Sequence, residues 1–189
     1  MTLEARLTEI VRADAGLMHI LTVMRELNLP DWRLFSGAVY QAVWNAQTGR
    51  PVGYGIKDYD IGYFDADTSW DAEDAVIKRV VAAFEPPLRD QVEVRNQARV
   101  HLWHPAKFGG SYSALTNTDE ALTRFVAPCF AVGVRLEEDG EITVAAPFGL
   151  EDVFNLTIRP TPDRPVAKDW DRIIEKAKAR WPELNVVQV

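Results

Sequence analysis

The chain has 189 residues, of which 47% are hydrophobic, and a formal net charge of −7 at pH 7. This hydrophobic content, with six Trp, eight Phe and five Tyr, excludes a disordered protein and suffices for one domain with a sizeable core. The acidic charge argues against an extended basic surface, so we expect no binding to duplex DNA.

Cysteine content and apolar runs narrow the protein class further. Cys129 is the only cysteine, which excludes an internal disulfide and a cysteine-rich zinc site. The first residues contain acidic side chains and lack the apolar segment of a signal peptide. All apolar runs fall short of the roughly 18–20 residues that a membrane span needs. We therefore expect a cytoplasmic protein with no membrane partner.

The first fifty residues predict helices, a strand and a turn. Apolar residues recur at helical spacing over residues 3–27, and Gly16 marks a break between two helices. Residues 32–35 form a short apolar strand. The small residues 36–38 then predict a turn, and the apolar residues after them fit one face of a helix.

An acidic strand is predicted next, over residues 56–65, which read I-K-D-Y-D-I-G-Y-F-D. Side chains alternate between the two faces of a strand, so Asp58 and Asp60 project together, opposite the Tyr and Ile side chains. Two carboxylates in an apolar setting are costly to leave unpaired. A cation held between them would offset that cost.

The rest of the chain alternates between predicted helices and strands. Residues 92–103 alternate apolar and polar side chains, which predicts a long half-buried strand with Glu93 on its polar face. Residues 104–116 are expected to be a loop, in which residues 108–113 are the best candidate for a mobile cover. The other predicted elements are helices at 70–84, 118–125, 150–155 and 166–181, a hairpin of 130–136 with 141–145, and a strand at 156–158.

This succession predicts an α+β protein with a mixed β-sheet covered by helices. We expect a single domain over residues 1–189. Within it, residues 1–29 form an N-terminal helical segment, 30–125 a metal- and nucleotide-binding core, and 126–189 a C-terminal hairpin and helix.

Three features of the predicted core point to phosphate chemistry. The Ser36-Gly37 turn would let backbone approach a phosphate, and the helix that follows adds positive potential. Together with Glu93, the carboxylates of Asp58 and Asp60 could hold two divalent metal ions on neighbouring strands. Mg²⁺, or Mn²⁺ in its place, suits such oxygen ligands and substrate phosphates.

Three other residues are candidates for contacting a nucleotide. The forked guanidinium of Arg99 suits a phosphate, although a structural ion pair explains it equally well. Asn45 either braces a loop or contacts a ligand. Lys107 lies with His104 where a loop is predicted and could touch a substrate. Zinc is not expected at His101 and His104, because there is no cysteine partner and no third histidine nearby.

Simpler explanations remain open for the acids. Surface strands carry alternate acidic side chains routinely, so Asp58 and Asp60 alone do not establish a site. Glu93 could pair with Arg95 or Arg99 on a solvated face.

The chain resembles a bacterial nucleotidyltransferase-like family. Its members share a G-A-x-Y-x-x-V-W-N segment, a D-x-D strand and a late A-P-F-G-L-E-D-x-F segment, found here at residues 37–45, 58–60 and 146–154. The resemblance covers about residues 30–160. That family is similar in turn to the DNA polymerase beta-type nucleotidyltransferase superfamily, with its G-[GS] turn, D-x-[DE] strand and third acid.

This resemblance implies metal-dependent transfer of a nucleoside monophosphate from a nucleoside triphosphate to an acceptor. The acceptor is left open between a small molecule, a protein and RNA. Ser36 and Gly37 match the phosphate turn of the superfamily, and Asp58 and Asp60 match its paired metal ligands. Glu93 matches the third acid and would help to deprotonate the acceptor hydroxyl.

Two departures from the superfamily pattern favour an alternative function. Ala38 stands where the superfamily usually has Gly or Ser, and the interval from Gly37 to Asp58 is longer than usual. The alternative is a catalytically inactive nucleotide-binding or interaction protein on the same fold. A metal-dependent phosphohydrolase would use the same carboxylates, but the chain lacks an obvious His or Lys cluster for its leaving phosphate.

Overall fold

The structure is a computed structural model that describes residues 1–187, and within them eight α-helices surround a central sheet. The helices are α1 (Leu3–Ala13), α2 (Ala15–Leu27), α3 (Gly37–Thr48), α4 (Trp70–Ala82), α5 (Val100–Phe108), α6 (Thr118–Leu122), α7 (Glu151–Phe154) and α8 (Trp170–Arg180). The strands are β1 (Arg33–Phe35), β2 (Tyr59–Tyr63), β3 (Val92–Asn96), β4 (Gly133–Leu136), β5 (Ile142–Ala145), β6 (Thr157–Ile158) and β7 (Asn185–Val186).

The central sheet has the strand order β3-β2-β1-β4-β5. β2 and β3 run parallel, whereas β1 pairs antiparallel with both β2 and β4, and β4 with β5. A separate parallel pair joins β6 to β7. The prediction of an α+β protein with a mixed sheet covered by helices is therefore confirmed, as is the predicted hairpin, now β4–β5.

The two faces of the sheet have different environments. On β2, Ile61 and Tyr63 point into a large apolar cluster that reaches from Leu7 in α1 to Leu184 beyond α8. Asp60 points to the other face, which bears a much smaller buried cluster of Phe35, Leu122 and Ala131. That asymmetry leaves room for polar groups beside Asp60.

The break between the first two helices lies at Asp14, two residues before the predicted position. Asp14 has an extended backbone, and its carboxylate accepts hydrogen bonds from the N–H groups of Gly16 and Leu17 at 2.9 and 3.0 Å. This cap ends α1 and starts α2.

The prediction of one strand over residues 92–103 is wrong beyond Asn96. The Asn96 side chain accepts a hydrogen bond from the Ala98 N–H at 3.0 Å, and the Asn96 N–H donates to the Glu73 carboxylate at 2.9 Å. Both bonds use backbone N–H groups that would otherwise be available to pair with a neighbouring strand. The chain turns through a 3₁₀ helix (Gln97–Arg99) into α5, so the first part of the predicted loop at 104–116 is helical.

The extent of the single domain, residues 1–189, remains a prediction. Residues 188 and 189, which the predicted domain includes, lie outside the described residues. Among the residues that are described, no helix combines the length and apolar character needed to cross a membrane.

A methyl group at Gly62 should destabilise the fold. A Cβ built there would lie 2.5 Å from the Phe35 ring and 3.1 Å from Thr118 Cγ2, which is closer than packed atoms approach. We expect Gly62→Ala to lower the free energy of unfolding by about 1–3 kcal/mol, measured by urea denaturation. In a Phe35→Leu background, where the ring edge is gone, the same change should cost less. An equal cost in both backgrounds would contradict this explanation.

Candidate functional site

The turn between β1 and α3 has an unusual backbone. Ser36 has a φ of 62° and a ψ of −128°, a conformation that costs a non-glycine residue ~1–3 kcal/mol. Its N–H donates to the carbonyl of Val132 on the segment leading into β4, at 3.0 Å. Its side chain does not cap the helix, although Ser is a favoured capping residue. The first N–H groups of α3 therefore have no side-chain cap from Ser36.

Asp58 lies against this turn. It directly precedes β2, and its Oδ1 is 3.9 Å from the position that a Cβ would occupy on Gly37. The structure thus brings together a carboxylate and a helix N-terminus that are separated by twenty residues of chain. Ser36 and Gly37 lie where the sequence predicts a phosphate turn.

Asp60 lies between strands that carry the other candidate residues. It pairs with Phe35 on β1 and with Glu93 on β3, so the side chains of Asp60 and Glu93 share one face of the sheet. Burial, followed by the negative charges of Asp58 and Glu93, raises the pKa of Asp60 from 3.8 to about 6. Arg95 opposes the rise.

Glu93 is more exposed than Asp60 and has a cationic neighbour. Its carboxylate lies 3.8 Å from the Arg95 guanidinium, with both side chains about half exposed. Among residues 1–187, no three His, Cys, Asp or Glu side chains are arranged to hold a metal ion. The structure therefore supplies a pair of carboxylates, Asp58 and Asp60, with Glu93 one strand further out.

The carboxylate pair fits a divalent cation bound together with phosphates. Mg²⁺ is usually held by one or two carboxylates and completes its coordination with water and substrate phosphate oxygens. Asp58 and Asp60 supply oxygen ligands only, and the pKa of Asp60 is raised first by burial and then by the negative charges of Asp58 and Glu93.

Arg99 does not join this group. Its guanidinium lies 3.0 Å from the Glu73 carboxylate, where the two side chains are only 11% and 4% exposed, and it donates to the Ser69 carbonyl at 3.0 Å. The charges of Glu73 and Arg99 act on Tyr63, which points to the opposite face from Asp60. The structure therefore assigns Arg99 to a buried ion pair.

Asn45 and Lys107 contact other partners in the structure. Asn45 is 2% exposed, and its amide donates to the Tyr54 carbonyl at 2.8 Å while accepting from the Trp181 indole at 3.0 Å. Both ends of the amide are used, so Asn45 braces the loop after α3. Lys107 is exposed on α5, with its ammonium group over the ring of Phe108.

The sequence did not predict one of the residues that lie beside the turn, Gln41. Gln41 is 7% exposed, its Nε2 lies 3.2 Å from the Cβ position of Gly37, and no described residue pairs with its Oε1. Its Nε2 donates a long hydrogen bond of 3.4 Å to the Tyr40 hydroxyl. The spacing of four residues from Gly37 on a helix was the available signal, because such pairs share a face.

The titration of Asp60 should be visible in the pH dependence of stability. The folded state holds the Asp60 proton more tightly than the unfolded chain does, since the folded pKa is about 6 instead of 3.8. The resulting stabilisation is complete below pH 3.8 and is lost as the pH rises through about 6. We expect Asp60→Asn to raise the free energy of unfolding by about 1–3 kcal/mol at pH 8 and by much less at pH 4.

Urea denaturation at the two pH values measures this difference. Glu138→Gln, on the exposed turn between β4 and β5, is the matched control and should change stability little at either pH. A gain for Asp60→Asn that is the same at pH 4 and pH 8 would contradict the raised pKa.

Comparisons with known proteins agree with the fold described above. Residues 22–186 match the sequence profile of a family described as Nucleotidyltransferase. A solved NMR structure described as revealing a CCA-adding enzyme head domain aligns with a TM-score of 0.79 at 27% identity, over 97% of this chain and 95% of its own.

Two larger structures share the fold at lower identity. A CCA-adding enzyme in apo form I aligns with a TM-score of 0.56 at 15% identity, over 97% of this chain. A CCA-adding enzyme in complex with CTP aligns with a TM-score of 0.58 at 14% identity, over 100% of this chain. The chain spans only 43% and 44% of those two structures.

No curated protein matches the chain. The profile nevertheless covers most of its length, and the head-domain structure covers nearly all of it, which confirms the resemblance seen in the sequence. The chain belongs to the nucleotidyltransferase family whose profile matches residues 22–186.

Proposed function

We propose that the protein transfers a nucleoside monophosphate from a nucleoside triphosphate to an acceptor, using Asp58, Asp60 and the N-terminus of α3. The observation that carries this proposal is the position of the Asp58 carboxylate, 3.9 Å from where a Cβ would lie on Gly37. It puts an oxygen ligand for a cation beside a helix N-terminus suited to anions.

The start of α3 would hold the phosphates of the donor. The first N–H groups of a helix carry partial positive charge, and Gly37 has no side chain that would stand between them and a phosphate. Ala38 is compatible with this role, because it is fully buried and its methyl group packs into the core. Gln41 would add a side-chain donor, because its Nε2 lies 3.2 Å from the Cβ position of Gly37.

Asp58 and Asp60 would hold Mg²⁺, or Mn²⁺ in its place, together with the phosphate oxygens. A divalent ion at such a site neutralises charge on the transferred phosphoryl group and on the leaving pyrophosphate. The two carboxylates place the donor against α3, and a cation between them offsets the like-charge repulsion that raises the pKa of Asp60.

Glu93 would accept the proton of the acceptor hydroxyl. It points to the same face as Asp60 in the neighbouring strand, and its exposure leaves it accessible to a second substrate. The Arg95 guanidinium lies 3.8 Å from the Glu93 carboxylate on the same face.

The comparisons support a nucleoside triphosphate as the donor. A CCA-adding enzyme of the same fold is solved with CTP, and the head-domain relative is similar over nearly the whole chain. For the acceptor, the proposal includes a small molecule, a protein or RNA.

Nucleotide binding without transfer is the second candidate function. One observation favours it: Glu93 pairs with Arg95, and no third acidic group joins Asp58 and Asp60 within the described residues. The two candidates share the binding site and differ in whether pyrophosphate is released.

Replacing the carboxylate pair should abolish metal-dependent binding of the donor. We expect the double variant Asp58→Asn and Asp60→Asn to bind a labelled nucleoside triphosphate at least about tenfold more weakly than the wild type in Mg²⁺, because amides are poorer cation ligands than carboxylates. Fluorescence anisotropy measures the affinity, with and without EDTA. The wild type should lose the same affinity when EDTA removes the metal.

Asp71→Asn is the matched control, because Asp71 is an exposed acid in the first turn of α4, outside the site. It should bind the triphosphate as the wild type does. If the double variant also binds like the wild type, or EDTA has no effect, the metal site is disproved.

Glu93→Gln separates transfer from binding. Loss of a general base lowers turnover by about 10²–10⁴-fold, so we expect pyrophosphate release to fall by this factor while triphosphate affinity changes little. Coupled pyrophosphate detection across small-molecule, protein and RNA acceptors measures the release. If the wild type binds the triphosphate but releases no pyrophosphate with any acceptor, the second candidate is correct.

A further inference from the structure

An aromatic cluster lies on α5 and the segment after it, outside the carboxylate site. The rings of His104 and Tyr112 are 4.4 Å apart, those of His104 and Phe108 5.0 Å, and those of Trp103 and Phe108 6.4 Å. Phe108 is 58% exposed, the other three are half-buried, and none belongs to the buried clusters. We call these four residues the α5 platform.

Cationic side chains surround the α5 platform. The Lys107 ammonium lies 5.2 Å from the centre of the Phe108 ring, and the Arg124 guanidinium lies 5.8 Å from that of Tyr112. Burial lowers the pKa of His104, and the positive charge of Arg164 adds to this effect. Glu120, which pairs with Arg124 at 3.4 Å, is the nearby acid. Positive side chains therefore lie against two rings of the platform, and a third adds its charge near His104.

The segment that carries the α5 platform continues over the face of the sheet that bears Asp60. On α6, Asp119 forms an ion pair with Arg33, and Leu122 packs with Phe35. Both partners lie on β1 and point to the same side as Asp60. Arg124, two residues after α6, then stacks on the platform. The platform therefore adjoins the layer next to the proposed transfer site.

We propose that the α5 platform binds unpaired nucleobases of a single-stranded nucleic-acid acceptor, which would narrow the acceptor of the proposed function on which this inference rests. Bases of single strands stack on exposed aromatic rings, and neighbouring Lys and Arg side chains attract the phosphates between them. Arginine and lysine over ring faces add cation–π attraction. The combination of the exposed Phe108 ring with Lys107 and Arg124 favours a polyanion with aromatic bases over an apolar protein partner.

Binding of a labelled single-stranded RNA of roughly 12 nucleotides tests this surface. We expect Phe108→Ala to weaken binding about tenfold, because one base would lose its stacking partner. Lys107→Ala should weaken it less and should reduce the dependence of log Kd on log salt concentration by about 0.7, the change for one phosphate contact to a single strand. Fluorescence anisotropy of the full chain at several salt concentrations provides both values.

Trp70→Ala is the matched control. Trp70 is 64% exposed and lies 5.4 Å from the Arg99 guanidinium, so it is also an aromatic–cation pair, but on α4. It should bind the RNA as the wild type does. The inference is overturned if the wild type binds no single strand at low salt, or if Phe108→Ala and Trp70→Ala bind equally. Circular dichroism verifies that the variants are folded.

The donor must be tested separately, because its own base could occupy the same rings. If Phe108→Ala keeps the wild-type affinity for the nucleoside triphosphate in Mg²⁺, the α5 platform serves the acceptor. If this variant loses triphosphate affinity but still binds inorganic tripolyphosphate normally, the platform holds the donor base and the acceptor assignment is wrong. Because RNA binding is measured without triphosphate, failure of the proposed transfer reaction would leave this result unaffected.

Discussion

The constraint on which the site depends is the pairing of β1 with a strand on each side. β1 has three residues, yet it joins β2 to β4, and the Ser36 N–H extends the second pairing to Val132. The chain then leaves the sheet at Ser36, which has a positive φ, and α3 begins at the next residue. This abrupt exit places the start of α3 beside the residue that precedes β2, and so beside Asp58.

Because of this pairing, the residues that stabilise the core and the acidic residues of the site lie on opposite faces of the sheet. One face of the sheet buries Ile61 and Tyr63 in the large apolar cluster, which supplies most of the hydrophobic stabilisation. The other face carries Asp60 and Glu93 and is covered only in part, by α6. Asp60 can therefore remain near other acids at a tolerable cost, although burial and repulsion still raise its pKa to about 6.

Local sequence patterns identified the helices and strands of the core wherever the spacing of apolar residues stayed the same throughout a segment. The two N-terminal helices, the acidic strand and the β4–β5 hairpin all follow from apolar spacing and turn residues. The pattern failed at residues 97–103, because an apolar–polar alternation continued there while Asn96 and Glu73 redirected the backbone. A bond between residues 23 positions apart leaves no trace in local periodicity.

The amino-acid sequence by itself determined the α+β class, the family resemblance and the closeness in sequence of Asp58 and Asp60, because each follows from neighbouring residues or short motifs. Only the tertiary structure decided which other candidates join them. It placed Gln41 beside the turn, paired Arg99 with Glu73 and joined Asn45 to Trp181. Those assignments depend on which distant side chain satisfies each buried polar group, and that is a property of packing in three dimensions.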